Sequence, residues 1–113
     1  MRPSKRTHLE NYVLELRRGA VVLAVLSALS EERYGYSLRQ QLAESGLKIS
    51  EGTLYPLMRR LESQGFLESV WRVSSNRPRR YYKSSKKGLS ALTALAEEWR
   101  SLVEATEALL PPI

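Results

Sequence analysis

The side chains with the clearest chemical meaning are the cations that lie between Arg72 and Lys87. No acidic residue interrupts them, whereas the chain after Gly88 contains one arginine and four glutamates. The seven cations are Arg72, Arg77, Arg79, Arg80, Lys83, Lys86 and Lys87. Clustered lysine and arginine side chains attract polyanions, above all the phosphates of nucleic acids. We therefore interpret this segment as a phosphate-binding surface, since a patch that only served solubility would not need seven cations without one acid.

The composition argues against most other chemistry. The chain of 113 residues has a formal net charge of +6, no cysteine and no aspartate, and its one histidine is His8. This inventory excludes disulfides, thiolate zinc sites, EF-hands and Ser-His-Asp or Cys-His catalytic groups. We expect no enzymatic activity, no metal ion and no cofactor. The longest apolar run, Ala20 to Leu26, is seven residues, against the roughly twenty that cross a membrane, so we expect a cytoplasmic protein.

Apolar periodicity and turn residues predict four helices and one hairpin, which must position these cations. The predicted helices are residues 9–30, 34–45, 51–64 and 86–110. Ser50 and Ser85 are suited to cap the last two helices, and Gly46 and Gly65 to end the second and third. The predicted hairpin has strands 67–73 and 80–83, with a loop over 74–78 that carries part of the basic segment.

This order of elements is typical of a winged helix-turn-helix, a mainly α (α+β) fold. We predict a basic arm over residues 1–8, the winged domain over 9–84 and a dimerisation helix over 85–113. In such domains the third helix enters the major groove of double-stranded DNA, and the hairpin lies along neighbouring phosphates. Winged domains that bind only proteins have the same order, so a protein-interaction module remains the alternative function.

The third helix presents a core stripe and an opposite face. The stripe is Leu54, Leu57, Met58 and Leu61, and the opposite face is Gly52, Tyr55, Pro56, Arg59 and Ser63. Tyrosine beside proline is an unusual choice for a surface that meets only water, so we predict DNA contacts for this face, with Arg59 on a phosphate or a base. From the hairpin we add Arg77, Arg79 and Arg80. We expect Arg60 to be solvated and Trp71 to be buried.

The last helix carries an apolar seam with alternating spacings of three and four residues, as in a coiled coil. The seam is Leu89, Leu92, Ala96, Trp99, Val103, Thr106 and Leu110. Leu95, Leu102 and Leu109 widen it on one side. Because this stripe is wider than one small core can cover, we predict a homodimer. Packing of the helix on its own domain is the alternative.

Several strings of residues also resemble the PadR-like family of transcriptional regulators. They are Tyr34-Gly35-Tyr36-x-Leu38, Ser50-x-Gly52-Thr53-Leu54-Tyr55-Pro56-Leu57, Arg77-Pro78-Arg79-Arg80-Tyr81-Tyr82 and Lys87-Gly88, with Trp71 and Trp99. The similarity extends over about residues 15–110. One position departs from the family pattern, because Ser84 stands where members usually have leucine. That departure puts the packing of the last helix on the hairpin in question.

The resemblance implies a dimeric repressor that binds a pseudo-palindromic operator. It implies DNA contacts by Ser50, Thr53, Tyr55, Pro56, Arg79 and Arg80. In some short members the tryptophan of the last helix stacks on flat aromatic molecules, and Trp99 occupies that position as the candidate ligand-binding residue for a small aromatic effector. A sensor of such molecules with a secondary DNA role is therefore a third hypothesis.

Overall fold

A computed structural model describes residues 5–112 as four helices and a small antiparallel sheet. In chain order the elements are α1 (His8–Ala28), β1 (Arg33–Tyr34), α2 (Gly35–Glu44), α3 (Glu51–Ser63), β2 (Leu67–Ser74), β3 (Arg77–Ser84) and α4 (Lys86–Leu109). The four predicted helices are confirmed to within two residues at each end, and the architecture is the predicted winged helix-turn-helix.

The helix ends follow from the residues that stand there. The Thr7 hydroxyl accepts a hydrogen bond from the Glu10 amide, and the Ser85 hydroxyl accepts one from the Gly88 amide, as at most helix N-termini. Ser50 occupies the cap position of α3, but its hydroxyl donates to Thr53 Oγ1 at 3.1 Å. Gly46 and Gly65 follow α2 and α3 with φ of 98° and 85°, the left-handed conformation that glycine adopts without strain.

One core joins the first three helices to the base of the sheet. The predicted α3 stripe is buried in it, which confirms the helical phase. The buried apolar residues of this core are Val21, Val25, Leu26, Leu29, Leu38, Leu42, Ile49, Leu54, Leu57, Met58, Leu61, Leu67 and Tyr82. Because α3 buries one stripe so completely, its opposite face is left to solvent and to partners.

The sheet contains a strand that the periodicity did not predict. β1, only two residues long, pairs with β3, so that Arg33 lies opposite Tyr82 and Tyr34 opposite Tyr81; the order is β1-β3-β2. Tyr34 therefore belongs to the sheet, and the prediction that it begins the second helix was wrong. A strand of two residues is too short for alternation to be visible in the sequence.

The hairpin turn is tighter than the predicted five-residue loop. Ser75 and Asn76 alone form it, with φ of 53° and 61°, as in the type I′ turns that suit twisted hairpins. Pro78 therefore lies inside β3, opposite Val73. The strand tolerates this proline because β1 pairs only with Tyr81 and Tyr82, so one edge of β3 is free at position 78.

We call β2, β3 and their turn the wing. Its aromatic residues differ in burial. Tyr82 belongs to the core, whereas Tyr81 lies on the other face of the sheet and is half-buried against Tyr34, with ring centroids 5.6 Å apart. Trp71 is 64% exposed, so the prediction of a buried Trp71 was wrong. The reason is that the hairpin extends beyond α3, and the core ends at Leu67 and Tyr82.

α4 is attached to the winged domain through a close contact at its first turn. The Ser84 hydroxyl, buried, donates to the Leu26 carbonyl at 2.8 Å, and the Ser85 hydroxyl donates to the Gly65 carbonyl at 2.6 Å. Ser84 thus replaces the apolar contact of the family pattern with a hydrogen bond to α1. At Gly88, a Cβ atom would lie 2.0 Å from the Phe66 carbonyl oxygen.

α4 then leaves the core together with the first half of α1. Gly88 is the one α4 residue that is fully buried, and the radius of gyration, 16.4 Å, exceeds the roughly 13 Å of a compact chain of this length. No helix within residues 5–112 is long and apolar enough to cross a membrane.

Candidate nucleic-acid interface

The exposed ridge of α3 is the centre of the candidate interface. Gly52, Pro56, Arg59 and Ser63 are exposed along it, as predicted, and Ser50 and Thr53 are exposed at its start. Arg59 makes no ion pair among the described residues. A helix whose free face carries small residues and one arginine can approach the edges of base pairs closely.

Tyr55 lies on the flank of this ridge and not on its crest. Its ring is half-buried and packs on Gly35, where a Cβ atom would come within 2.9 Å of Tyr55 Cε1. Burial, and secondarily the charge of Glu51, raises the pKa of the Tyr55 phenol, while Arg39 opposes the rise. The prediction that the Tyr55 side chain points away from the core was therefore wrong, since the residue supports the junction of α2 and α3.

A groove of about 290 Å³ separates α3 from the wing, and five of its eleven lining residues are aromatic. We call it the aromatic groove; it is lined by Tyr34, Gly35, Tyr36, Tyr55, Met58, Arg59, Trp71, Pro78, Arg79, Arg80 and Tyr82. Trp71 and Tyr36, the latter 57% exposed, are candidate contacts that the sequence analysis missed. The signal was present, because both residues lie in the strings that resemble the PadR-like family.

Two of the three arginines predicted for the hairpin are available to a ligand. Arg77 is exposed beside the turn, and the Arg79 guanidinium lies 4.5 Å from the Tyr34 ring centroid. Neither has a carboxylate within 4.0 Å among the described residues. The Tyr34 ring orients Arg79 without neutralising it, since an aromatic face attracts a cation but carries no net charge.

Arg80 has a different role. Its Nη2 lies 2.9 Å from Glu62 Oε1 and its Nε donates to the Ser69 hydroxyl at 2.9 Å, while the same hydroxyl donates to the other Glu62 oxygen. Arg80 thus attaches the wing to α3, and a DNA contact by it would compete with this ion pair. Arg72 is likewise engaged, 2.7 Å from Glu32.

The α4 seam remains mostly exposed in the single chain. Leu92 packs against the core of its own domain, and Ala96 is half-buried, whereas the other five seam residues are exposed. Trp99 and Val103 face α1 across a groove of about 510 Å³, which Leu16, 79% exposed, also lines. Within residues 5–112, no three acidic, histidine or cysteine side chains cluster as metal ligands would.

Comparison with known proteins agrees with this geometry. Residues 22–94 match the transcriptional regulator PadR-like family. The chain belongs to the PadR-like family. It is 43% identical over 91 residues to the transcriptional regulator Rv3488 of Mycobacterium tuberculosis, and the aligned region covers 80% of this chain and 82% of that protein.

Solved PadR-like structures have the same fold. The crystal structure of a PadR family transcriptional regulator from Eggerthella lenta superposes with a TM-score of 0.83 at 46% identity, covering 93% of this chain and 94% of that one. A PadR-like regulator from Bacillus cereus gives 0.78 at 30% identity, covering 88% and 99%. The PadR-like family consists of transcriptional regulators and not of enzymes, which implies regulation through DNA binding.

Proposed function

We propose that this PadR-like regulator is a dimeric repressor that binds a pseudo-palindromic operator through α3 and the wing. The observation that carries the proposal is the exposed ridge of α3, with the aromatic groove and the free cations Arg77 and Arg79 beside it. The major groove admits an α-helix, so the exposed ridge of α3 can enter it while the wing follows the adjacent backbone. Base edges would then be read by Thr53, Pro56 and Arg59, and phosphates held by the wing and by Ser50.

The aromatic groove adds contacts of another kind. Trp71 and Tyr36 present apolar faces with a polar edge toward solvent, beside Arg59 and Arg79. Aromatic rings of this sort pack on sugars and thymine methyl groups, and their N–H and O–H groups donate to phosphate oxygens. Tyr55 contributes by holding α3 against α2, which fixes the direction of the ridge relative to the wing.

Dimerisation is supported by the apolar surface of α1 and α4. Leu102, Leu109 and Leu16 are exposed, and the groove between the two helices is predominantly apolar in its lining. Contiguous apolar surface of this extent is costly in water and is typical of interfaces. A two-fold pair would place two copies of α3 about one helical turn of DNA apart, near 34 Å, which matches an inverted repeat.

Trp99 is the candidate contact for an aromatic effector. It lines the groove between α1 and α4, which has room for a flat molecule of a few rings. A ligand stacked on Trp99 would act on the same surfaces that set the distance between the two copies of α3, and could thereby relieve repression. Quenching of Trp99 fluorescence in a Trp71→Phe variant tests this part of the proposal, since the chain contains two tryptophans.

The test of DNA binding is selection of fragments from sheared genomic DNA by the purified protein. Fluorescence anisotropy of the best fragment follows at several salt concentrations. If the dimer neutralises roughly eight phosphates, affinity falls by about four decades between 50 and 200 mM salt. We expect an inverted repeat whose binding survives excess random DNA. Enrichment without a motif would contradict sequence-specific binding, and no retention at low salt would favour the protein-interaction alternative.

A matched pair of variants connects the result to the wing. Arg79→Gln removes one free cation of the proposed interface, and Arg100→Gln removes one from α4. We expect Arg79→Gln to weaken binding to the recovered fragment and to random DNA alike and to flatten the salt dependence, because a phosphate contact carries no sequence information. Arg100→Gln should leave both unchanged.

A further inference from the structure

A second cationic groove lies on the side of α3 that faces α1. Its volume is about 500 Å³, and it is distinct from the aromatic groove. We call it the basic groove, and its cations are Arg6, Arg17, Arg18, Lys48 and Arg60. Among the residues that the structure describes, no acidic side chain lines it. Five cations on one surface repel each other, so their concentration here indicates a surface that is shaped for an anion.

The cations of the basic groove are not engaged elsewhere. Among residues 5–112 none of them lies within 4.0 Å of a carboxylate. Arg17 alone makes a described side-chain hydrogen bond, a long one of 3.4 Å from its Nη2 to the Lys48 carbonyl. Arg39, Arg72 and Arg80, by contrast, each contact a glutamate. The chain therefore has acids to pair with arginine and has none at this groove.

The floor and rim of the basic groove suit an extended anion rather than an enclosed one. Val21, Ile49 and Leu57 form a buried apolar floor, on which the aliphatic stems of the cations can lie while their heads reach solvent. Arg18 and Arg60 are exposed on opposite walls, one on α1 and one on α3. A strand that passes along such a rim meets several positive charges in succession.

The position of the basic groove relative to α3 indicates which DNA strand it would meet. Thr53, Pro56 and Arg60 line the basic groove, whereas Tyr55 and Arg59 line the aromatic groove. The exposed ridge of α3 thus runs between two grooves that both carry arginine. A helix in the major groove, about 12 Å wide, is bordered on each side by one sugar–phosphate strand. The wing can reach only one of these two strands.

We propose that the basic groove binds the second DNA backbone, on the side of α3 opposite the wing, through Arg17, Arg18, Lys48 and Arg60. This inference rests on the proposed DNA binding and extends it from two contact elements to three. α1 then has two functions: its outer face meets α4, and its basic face fixes how deeply α3 enters the groove. Arg17 and Arg18 are then phosphate contacts, and so is Arg60, which we had expected to be solvated.

The test is the double variant Arg18→Gln with Arg60→Gln, neither of which removes a described hydrogen bond or ion pair. Its control is Arg100→Glu, which lowers the net charge by the same two units on α4. Anisotropy is measured with the recovered operator fragment and with a random duplex of about 30 base pairs, long enough for two half-sites and their flanks. Circular dichroism melts verify that each variant is folded.

Loss of two phosphate contacts per protomer, four per dimer, flattens the salt dependence. We expect the decrease in affinity between 50 and 200 mM salt to be about two decades smaller in the double variant than in the wild type. At low salt the loss of affinity should be equal for both duplexes, because phosphates carry no sequence information. Arg100→Glu should behave as the wild type does.

Each contrary outcome has a separate meaning. A wild type that binds neither duplex at low salt overturns the proposed function itself. A wild type that binds DNA, loses affinity through Arg79→Gln and keeps its salt dependence in the Arg18→Gln, Arg60→Gln variant overturns only the basic groove. If inorganic phosphate at constant ionic strength weakens DNA binding of the wild type but not of the double variant, the groove serves a free anion, and the backbone assignment is wrong.

Discussion

Replacing Gly88 by alanine tests the attachment of α4 to the winged domain. An added Cβ would lie 2.0 Å from the Phe66 carbonyl oxygen, and contacts under 3.0 Å are essentially never seen. The helix or the carbonyl must therefore move by about 1 Å. That carbonyl accepts the Ser85 amide at 3.0 Å, and Gly88 itself donates to the Ser85 hydroxyl at 3.0 Å. The movement strains both hydrogen bonds of the joint.

The expected cost has two parts. Overpacking a well-packed site costs about 1–3 kcal/mol, and losing a serine cap costs about 1 kcal/mol. Gly88→Ala should therefore lower the free energy of unfolding by about 2–4 kcal/mol. Gly52→Ala is the matched control, because it also changes a glycine in the first turn of a helix, and nothing lies within 4 Å of its added Cβ. It should gain less than about 1 kcal/mol from helix propensity.

The free energy of unfolding of both variants is measured by urea denaturation, monitored by circular dichroism. All samples have the same protomer concentration, because dimer formation contributes to stability. The same joint sets the angle at which α4 leaves the domain. A surviving Gly88→Ala protein should consequently lose affinity for the operator more than for random DNA, since only the operator requires a fixed spacing of half-sites. If Gly88→Ala is as stable as Gly52→Ala, the close contact with Phe66 is wrong and so is the attachment built on it.

Three further variants test separate parts of the structure. Glu62→Gln removes the partly buried carboxylate that holds Arg80 and should lower the free energy of unfolding by about 1–2 kcal/mol in urea denaturation. Unchanged stability would mean that Arg80 is not needed by the fold and is available to DNA. Because the pKa of Tyr55 is raised, its neutral form is favoured by folding, so stability should fall as pH rises past about 10. Tyr55→Phe, but not Tyr12→Phe, should reduce this alkaline loss in thermal melts. Leu102→Glu with Val103→Glu should give monomers in analytical ultracentrifugation, and a surviving dimer would place the interface elsewhere.

The helices were predictable because their signals are local. The α3 stripe repeats at helical spacing, and Gly65 and Ser85 mark the end of α3 and the start of α4. Such signals depend on residues three or four positions apart, which interact wherever the helix lies. The fold class followed from their order, and the family resemblance agreed with it.

The errors concern residues whose environment depends on distant parts of the chain. Trp71 lies on the same face of β2 as the buried Leu67, as the alternation predicts. Alternation does not show, however, how far the hairpin extends beyond the core. Tyr55 was assigned to the free face because, at 100° per residue, it falls on the side of the helix that carries Gly52, Pro56 and Arg59. Only the proximity of Gly35, twenty residues earlier, shows that its ring is covered. Neither fact exists before the chain is folded.

The number of cations available to DNA also depends on residues that are distant in sequence. The segment from Arg72 to Lys87 contains no acid, yet Glu32 and Glu62, outside it in sequence, contact Arg72 and Arg80. Lys87 donates to the Gln64 carbonyl. Three of the seven cations therefore hold the domain together, and a count of charges along the sequence overstates what the wing offers to DNA.

Available cations lie on both sides of α3 and not on the wing alone. Arg79 lines the aromatic groove on one side, Arg59 lies on the exposed ridge, and Arg18 and Arg60 line the basic groove on the other side. A polyanion that bound the wing alone would leave Arg18 and Arg60 without a counter-charge, since neither has a carboxylate within 4.0 Å among the described residues. A duplex whose major groove holds α3 places phosphate on both sides at once. The symmetry of charge about this helix thus argues for recognition centred on α3, with the wing as one of its two supports.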